Sequence, residues 1–519
     1  MNRRRFLGGL GATGGALLGG SALLGACSGS SPKGGAATTT TLRSARTTPT
    51  ALLDIPAASS PVSHIVVLMQ ENRSFDHWLG WLADDEAYLE AGRRRYGTHF
   101  TIAGDQRQRF AGANGDIATM HLPGASDETN PFRGCGHPDP GHSWSDGRAQ
   151  RDDGFLAKAS GNDDFALGYY RAADLPFTSK LASRFSVCDH SHASLLSSTF
   201  PNRMYLHSAQ SGGQKDNSLP TDGGFGWDTI WDRLDAAQVD AAYYYSDLPV
   251  TFLWGDRLQS ITHKVDEYFD ACEKGTLPSV TFIDPGFIGA TRTDNHPFGD
   301  IHAGERFARD VFAAFARSPH WKNGVFIHTY DEWGGFFDHV KPPVLADARA
   351  SRNDAENFAQ AGFRIPTVVA SPYARPGSVD HTLYDHTSIL RMIEWRFLGA
   401  PATGTGGAKG WSLTSRDRHA NNIASTLTES PMRDLDFELD VTIPQPTPAC
   451  EGQSEGLIAF SPPDEHATRP QVVPTSGGQG DSLEKTFMEQ LHAAGYFERI
   501  GVDVRPCSMA DRWVASHAT

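Results

Sequence analysis

Cysteine is scarce. Six in 519 residues are too few for a disulfide scaffold, and no Cys-x-x-Cys pair offers zinc-knuckle spacing. Positive charge is also in deficit. Lys plus Arg number 46 against 61 Asp plus Glu, a formal net charge of −15. General affinity for nucleic acid needs clustered Lys and Arg to displace counterions, so nucleic acid is excluded as a partner class. After the N-terminal segment there is no run of about 20 apolar residues, which excludes a downstream bilayer-spanning helix. No internal repeat is visible. What is present is a globular composition, 39% hydrophobic and 21% charged, able to bury a large core. At roughly 150 residues per domain the length allows three domains, although single α/β domains run longer.

The chain opens as an address. Arg3-Arg4-Arg5 precedes Phe6-Leu7 and a Gly/Ala/Leu-rich stretch to Ala26. A basic start followed by a weakly apolar middle reads as an export signal over 1–26. The paired Arg resembles the twin-arginine type, which implies the twin-arginine export machinery as a partner. Leu24-Gly25-Ala26-Cys27 resembles a lipobox, so Cys27 is a candidate lipid anchor to the cell envelope, with ordinary cleavage near Ala26 as the alternative. Residues 27–60 are rich in Ser, Thr, Gly, Ala and Pro and read as a flexible linker. Residues 61–443 are expected to hold one catalytic domain, and the Pro/Gly/Ser-rich 444–519 to form an extension packed on it. Without Cys27, Cys135, Cys188, Cys272, Cys450 and Cys507 remain, an odd set whose pairing stays open.

Short apolar runs at 65–69, 185–188, 241–245, 280–283, 325–329 and 367–370 read as buried strands. Helical spacing lies between them, over 228–234, 305–317 and 388–397. Phe307, Val311, Phe312 and Phe315 fall on one stripe. Asp481 with Glu484 opens a late helix with capping-box spacing. Strands alternating with helices predict an α/β layered domain with a mostly parallel central sheet. Ligands in such sheets gather beyond the carboxyl ends of the strands. There, one strand runs into Glu71-Asn72, another into Asp331-Glu332, and a third into Asp284. Carboxylates and an amide converging from separate strands suit a hard divalent cation.

The stretch His64 to His77, HIVVLMQENRSFDH, resembles the bacterial phosphoesterase family that contains secreted phospholipases C and a group of acid phosphatases. Further blocks follow in family order. They are Asp139-Pro-Gly-His142-Ser-Trp144, Ser198-Thr199-Phe-Pro-Asn-Arg203, Asp294-Asn-His296-Pro297, Tyr330-Asp-Glu-Trp-Gly-Gly335 with Asp338-His339-Val340, and His386-Thr-Ser388. The resemblance spans about residues 60–400 and implies an alkaline-phosphatase-like fold. It implies one divalent metal ion held by Glu71, Asn72, Asp331 and Glu332, with Thr199 as nucleophile and metal ligand. A Thr hydroxyl is a weak nucleophile until a cation or base lowers its pKa. His142 and His296 match phosphate-contacting histidines, one to protonate the leaving oxygen and one to stabilise charge.

Ser198 is the rival nucleophile, and Asn202 and Arg203 either hold the helix or touch phosphate. His302, His339 and His386 rank lower, the last two as orienting or structural groups. The implied activity is hydrolysis of a phospholipid such as phosphatidylcholine at a membrane surface. The alternatives are an acid phosphatase acting on monoesters and a non-catalytic envelope lipoprotein. Trp78, Trp144, Tyr169, Tyr170 and Tyr243–Tyr245 are candidates for caging a quaternary ammonium head group. Phe200 and Trp333, apolar where the family varies, are compatible with a lipid substrate.

Overall fold

The computed structural model describes residues 50–125, 130–220, 223–288, 292–407, 409–432 and 441–450. The export signal, Cys27, Cys507 and the late helix near Asp481 lie outside the described residues. Eight strands form the central sheet. In chain order they are β1 (His64–Gln70), β2 (Ser186–Cys188), β3 (Ala241–Tyr245), β4 (Thr262–Lys264), β5 (Val280–Asp284), β6 (Gly324–Tyr330), β7 (Val368–Ala370) and β8 (Ser378–Asp380). Their spatial order is β8-β2-β7-β6-β1-β5-β3-β4. All run the same way except β7, which is antiparallel to both β6 and β2. The α/β fold with a mostly parallel sheet, expected from the alternating pattern, is therefore present.

Every residue of β6 and all but the first of β1 are buried. That is the burial expected of central parallel strands covered on both faces. Helix α1 (Trp144–Asp153) is followed by α2 (Pro176–Arg184), α3 (Thr199–Ser208), α4 (Ile301–Arg317) and α5 (His386–Phe397). Helix α4 packs on α2, and α3 packs on α5. The α4 core stripe is Ile301, Ala308, Val311, Phe312 and Phe315, with Phe307 only partly buried at its margin.

The linker boundary differs from the sequence reading. The linker expected over 27–60 is already packed by residue 52. Leu52 is fully buried, its amide donates to Leu427 O at 3.0 Å, and residues 52–54 form a helical turn. Leu52 and Leu53 are apolar residues that the Ser/Thr/Pro composition around them masks. At the other end, Thr447 Oγ1 and amide bond Asp300, and Arg133 Nη2 donates to Thr447 O at 2.7 Å. A disulfide joins Cys135 to Cys450 across 315 residues of sequence, while Cys188 and Cys272 are free and buried. Among the described residues no helix is long and apolar enough to cross a membrane.

Closing so long a loop removes entropy from the unfolded chain. The paired substitution Cys135→Ser, Cys450→Ser should therefore lower unfolding stability by about 2–4 kcal/mol. Urea unfolding of the oxidised protein measures this. An unchanged midpoint would mean that the hydrogen bonds to Thr447 suffice.

Candidate active site

β1 and β6 pair in parallel register, from His64 beside Gly324 to Gln70 beside Tyr330. The next residues, Glu71 and Asp331, therefore leave the sheet side by side, followed by Asn72 and Glu332. Backbone bonds continue the rungs. Asp331 N donates to Gln70 O at 3.0 Å and Arg73 N to Glu332 O at 3.1 Å. The Asp331 side chain joins too, accepting from the Asn72 backbone amide at 3.1 Å through Oδ1. Asn72 stands at φ 59°, a left-handed conformation that Asn tolerates better than most residues. Gly334, at φ 65°, lies against it. A Cβ there would sit 2.2 Å from Asn72 O, so the Gly334-Gly335 pair permits the close approach of these loops.

Ser198 caps α3 and Thr199 is its first residue. Asn202 fastens the preceding loop, its Nδ2 donating to Ser197 O at 2.7 Å and Ser198 O at 3.1 Å. Arg203 is one turn beyond Thr199 on the same helix face. Its guanidinium donates to Asp331 Oδ2 at 3.2 Å and Asp284 Oδ1 at 2.8 Å, and lies 3.7 Å from Glu71. Of the two roles considered for this pair, Asn202 holds the loop, and Arg203 ties the helix to the carboxylates.

His142 precedes the capping box of α1, and its Nδ1 donates to Pro140 O at 2.7 Å. Its Nε2 lies 3.3 Å from Asn72 Nδ2. His296 faces it edge-on, with ring centroids 5.8 Å apart. His296 Nδ1 is turned to Pro297 O, and its Nε2 lies 3.4 Å from Asp139 Oδ2. Glu71 N donates to Asp294 O at 2.8 Å, which joins this segment to β1. Glu71, Asn72, Asp331, Glu332, His142 and His296 are thus tied together, and Thr199 is joined to them through Arg203 on its own helix.

The electrostatics are those of a crowded anionic pocket. Burial, then Asp331 and Asp294, push the Glu71 carboxyl well above its ordinary range, opposed by Arg203 and Arg292. Burial raises Glu332 to about 8 and also raises Asp331. Burial lowers His142, but the Glu332 and Asp139 carboxylates outweigh it and hold the imidazole at about 9. Burial, Arg292 and His142 drive His296 well below its usual value.

Several buried atoms have no hydrogen-bond partner: both Glu71 carboxylate oxygens, Asn72 Oδ1, Glu332 Oε1, Thr199 Oγ1, Ser198 Oγ and His296 Nε2. Buried polar atoms are rarely left unpaired, and so many in one place mark a ligand site. Most are oxygens, the donor set of a hard cation. Beside them, Asp139, His142 and His296 bring donor atoms within 4.8 Å of one another.

Other sequence candidates take ordinary places. His386 Nε2 bonds Tyr330 O at 2.8 Å, and His302 packs on Phe132. His339 pairs with Asp76 rather than Asp338, which instead accepts from Arg364. Most of the aromatic candidates for a head-group cage are core residues. Trp78, Tyr170 and Tyr243 are fully buried, and Tyr244 and Tyr245 nearly so. The cations over these rings are the chain's own: Arg73 over Trp78 and Tyr170, Arg148 over Trp144, Arg171 over Tyr169, and Lys264 over Tyr245. Phe200 and Trp333 are also fully buried core residues, so neither presents an apolar surface to a substrate. Sequence reading missed Asp139, although it stands in the quoted block three residues before His142, and Arg292, which no motif marked.

The phosphoesterase family profile matches residues 62–398. The chain belongs to the phosphoesterase family. Its enzyme class is accordingly that of a phosphoric ester hydrolase. It is 29% identical over 423 residues to non-specific phospholipase C4 of Arabidopsis thaliana, covering 75% of this chain and 76% of that protein. It is 30% identical over 416 residues to non-specific phospholipase C5 of the same plant, with coverages of 72% and 76%. With the non-hemolytic phospholipase C of Pseudomonas aeruginosa it shares 28% over 504 residues, covering 84% of this chain and 69% of that protein. A solved alkaline phosphatase superfamily protein from Vibrio parahaemolyticus aligns at TM-score 0.29 and 11% identity, over 47% of this chain and 63% of that one. That likeness is too weak to carry the fold assignment, which rests on the sheet itself.

Removing one partner of a buried ion pair strands the other charge. Arg203→Met should therefore cost about 3–5 kcal/mol of unfolding stability. Denaturant titration of the metal-free protein measures the loss. A loss near zero would mean that Asp284 and Asp331 are neutral without it.

Proposed function

We propose that this hydrolase is of the phospholipase C type. Its substrate is a phospholipid such as phosphatidylcholine, and its products are diacylglycerol and a phosphorylated head group. The observation that carries the reading is the set of unpaired buried oxygens on Glu71, Asn72 and Glu332 at the ends of two register-matched strands, with that of Thr199 at the start of α3. The phospholipase C relatives support the substrate class. Glu71, Asn72, Asp331, Glu332 and Thr199 would hold one divalent cation, which when bound acts as a Lewis acid that stabilises negative charge and favours an ionised hydroxyl.

Thr199 Oγ1 attacks phosphorus. The Oγ1–P bond forms as the bond from phosphorus to the glycerol oxygen breaks. One of His142 and His296 gives the departing oxygen its proton, and the other stabilises the equatorial oxygens. Water then cleaves the phosphothreonine ester and restores the hydroxyl. The start of α3 adds a favourable end of the helix dipole for the phosphate. The reading includes export by the twin-arginine route and work at a membrane surface, with Cys27 as a candidate anchor.

The purified protein is assayed on phosphatidylcholine and on an aryl phosphate monoester, with and without chelator. Chelator-sensitive release of phosphocholine, exceeding hydrolysis of the monoester, is expected. Preference for the monoester would turn the reading to an acid phosphatase. No hydrolysis of either under any added metal would defeat both. Thr199→Ala should cost on the order of a thousandfold or more in kcat while the protein stays folded, and Ser198→Ala should not. The reverse pattern would move the nucleophile to Ser198.

A further inference from the structure

Away from the active site, the described residues bring three other groups of His and acidic side chains within reach of a single ion: Asp189–His190–His381, Asp76–Asp338–His339 and His137–Asp163–Asp164. The second already holds a cation of the chain's own. Arg364 donates to Asp76 Oδ1 at 3.0 Å and to Asp338 Oδ1 at 2.8 Å. The third has a single imidazole beside two aspartates, all of them only partly buried.

The first group is produced by strand register. β8 pairs in parallel with β2, Asp380 beside Cys188. The next residues out of the sheet are His381 and Asp189, so pairing the strands sets an imidazole against a carboxylate. His381 Nδ1 lies 3.0 and 2.9 Å from the two Asp189 oxygens. Asp189 is fully buried, and its Oδ2 is steadied by the Ala103 amide at 2.7 Å. His190 comes next, its ring centroid 6.5 Å from that of His381. One donor atom from each of the three residues lies within 4.8 Å of the other two. The His381 side chain is 50% exposed, so solvent reaches the group. Beyond it the two segments stay joined, Tyr384 N to His190 O at 3.0 Å and His192 N to Tyr384 O at 2.9 Å.

Two imidazoles with one carboxylate form a donor set for zinc and its neighbours, whereas calcium and magnesium take oxygen ligands. We propose that Asp189, His190 and His381 form a metal site for a zinc-class divalent ion. It has three protein ligands and a position open to water, and it clamps edge strand β8 onto β2. An ion there takes the place of the proton shared by Asp189 and His381, which passes to solvent. The clamp also fixes the start of the segment that runs from Asp189 to Ser198 and Thr199.

The test is calorimetric titration of Zn²⁺ into the full-length, metal-stripped protein. Comparison is made with the double variant His190→Asn, His381→Asn, with His381→Asn alone, and with Glu71→Gln. The double variant should bind one equivalent less than the wild type, while Glu71→Gln keeps that equivalent. The Zn²⁺-dependent rise in Tm that remains in Glu71→Gln should disappear when His381→Asn is added, at a half-exposed position that leaves folding intact. Unchanged stoichiometry in the double variant overturns the proposal. So does a Zn²⁺-dependent rise in Tm that survives His381→Asn in the Glu71→Gln background.

Discussion

Two neighbouring strands end on the same rung, and the rest of the site follows from that. The parallel register of β1 with β6 fixes Glu71 against Asp331 and Asn72 against Glu332, although Asn72 and Asp331 stand 259 residues apart in sequence. A slip of one residue would turn each strand's side chains to the opposite face and separate these groups. The register is held by the long apolar runs of both strands, each too buried to slide without exposing core. These residues are therefore positioned by the hydrophobic effect as much as by their own hydrogen bonds.

Gathering Glu71, Asp331, Glu332, Asp284, Asp294 and Asp139 in one region creates a charge problem, because burying an unpaired carboxylate is expensive. The chain answers it in part. Arg203 serves Asp331 and Asp284, and Arg292 serves Asp294. Glu71 is left with guanidinium groups no closer than 3.7 Å and with neither oxygen hydrogen-bonded. The raised carboxyl pKa values are the signature of that deficit. A divalent cation is the economical remedy, since one ion satisfies several oxygens together.

Much of this was legible because buried strands write themselves as short apolar runs and the family blocks sit at their ends. The runs at 65–69, 280–283 and 325–329 became β1, β5 and β6, and the acidic residues just beyond them point into one region. Strand direction was not legible. Val368–Ala370 has the same apolar character as its neighbours, and nothing in it says that it runs backwards. Nor did composition reveal where aromatics point. Trp78 and Tyr170 look like ligands for an ammonium group, but the ammonium-like partner is the internal Arg73. The pairing of Cys135 with Cys450, and the early packing of Leu52, depend on contacts between segments distant in sequence that no local pattern encodes.

The central claim is that the two strand ends and the first turn of α3 share one cation. Crystals grown with Mn²⁺ and measured at its absorption edge test it most directly. The account predicts one anomalous peak in this pocket, within bonding reach of Glu71, Asn72, Asp331, Glu332 and Thr199. A catalytically active crystal with no ion there, or with the ion bound only by Asp139, His142 and His296, would contradict it.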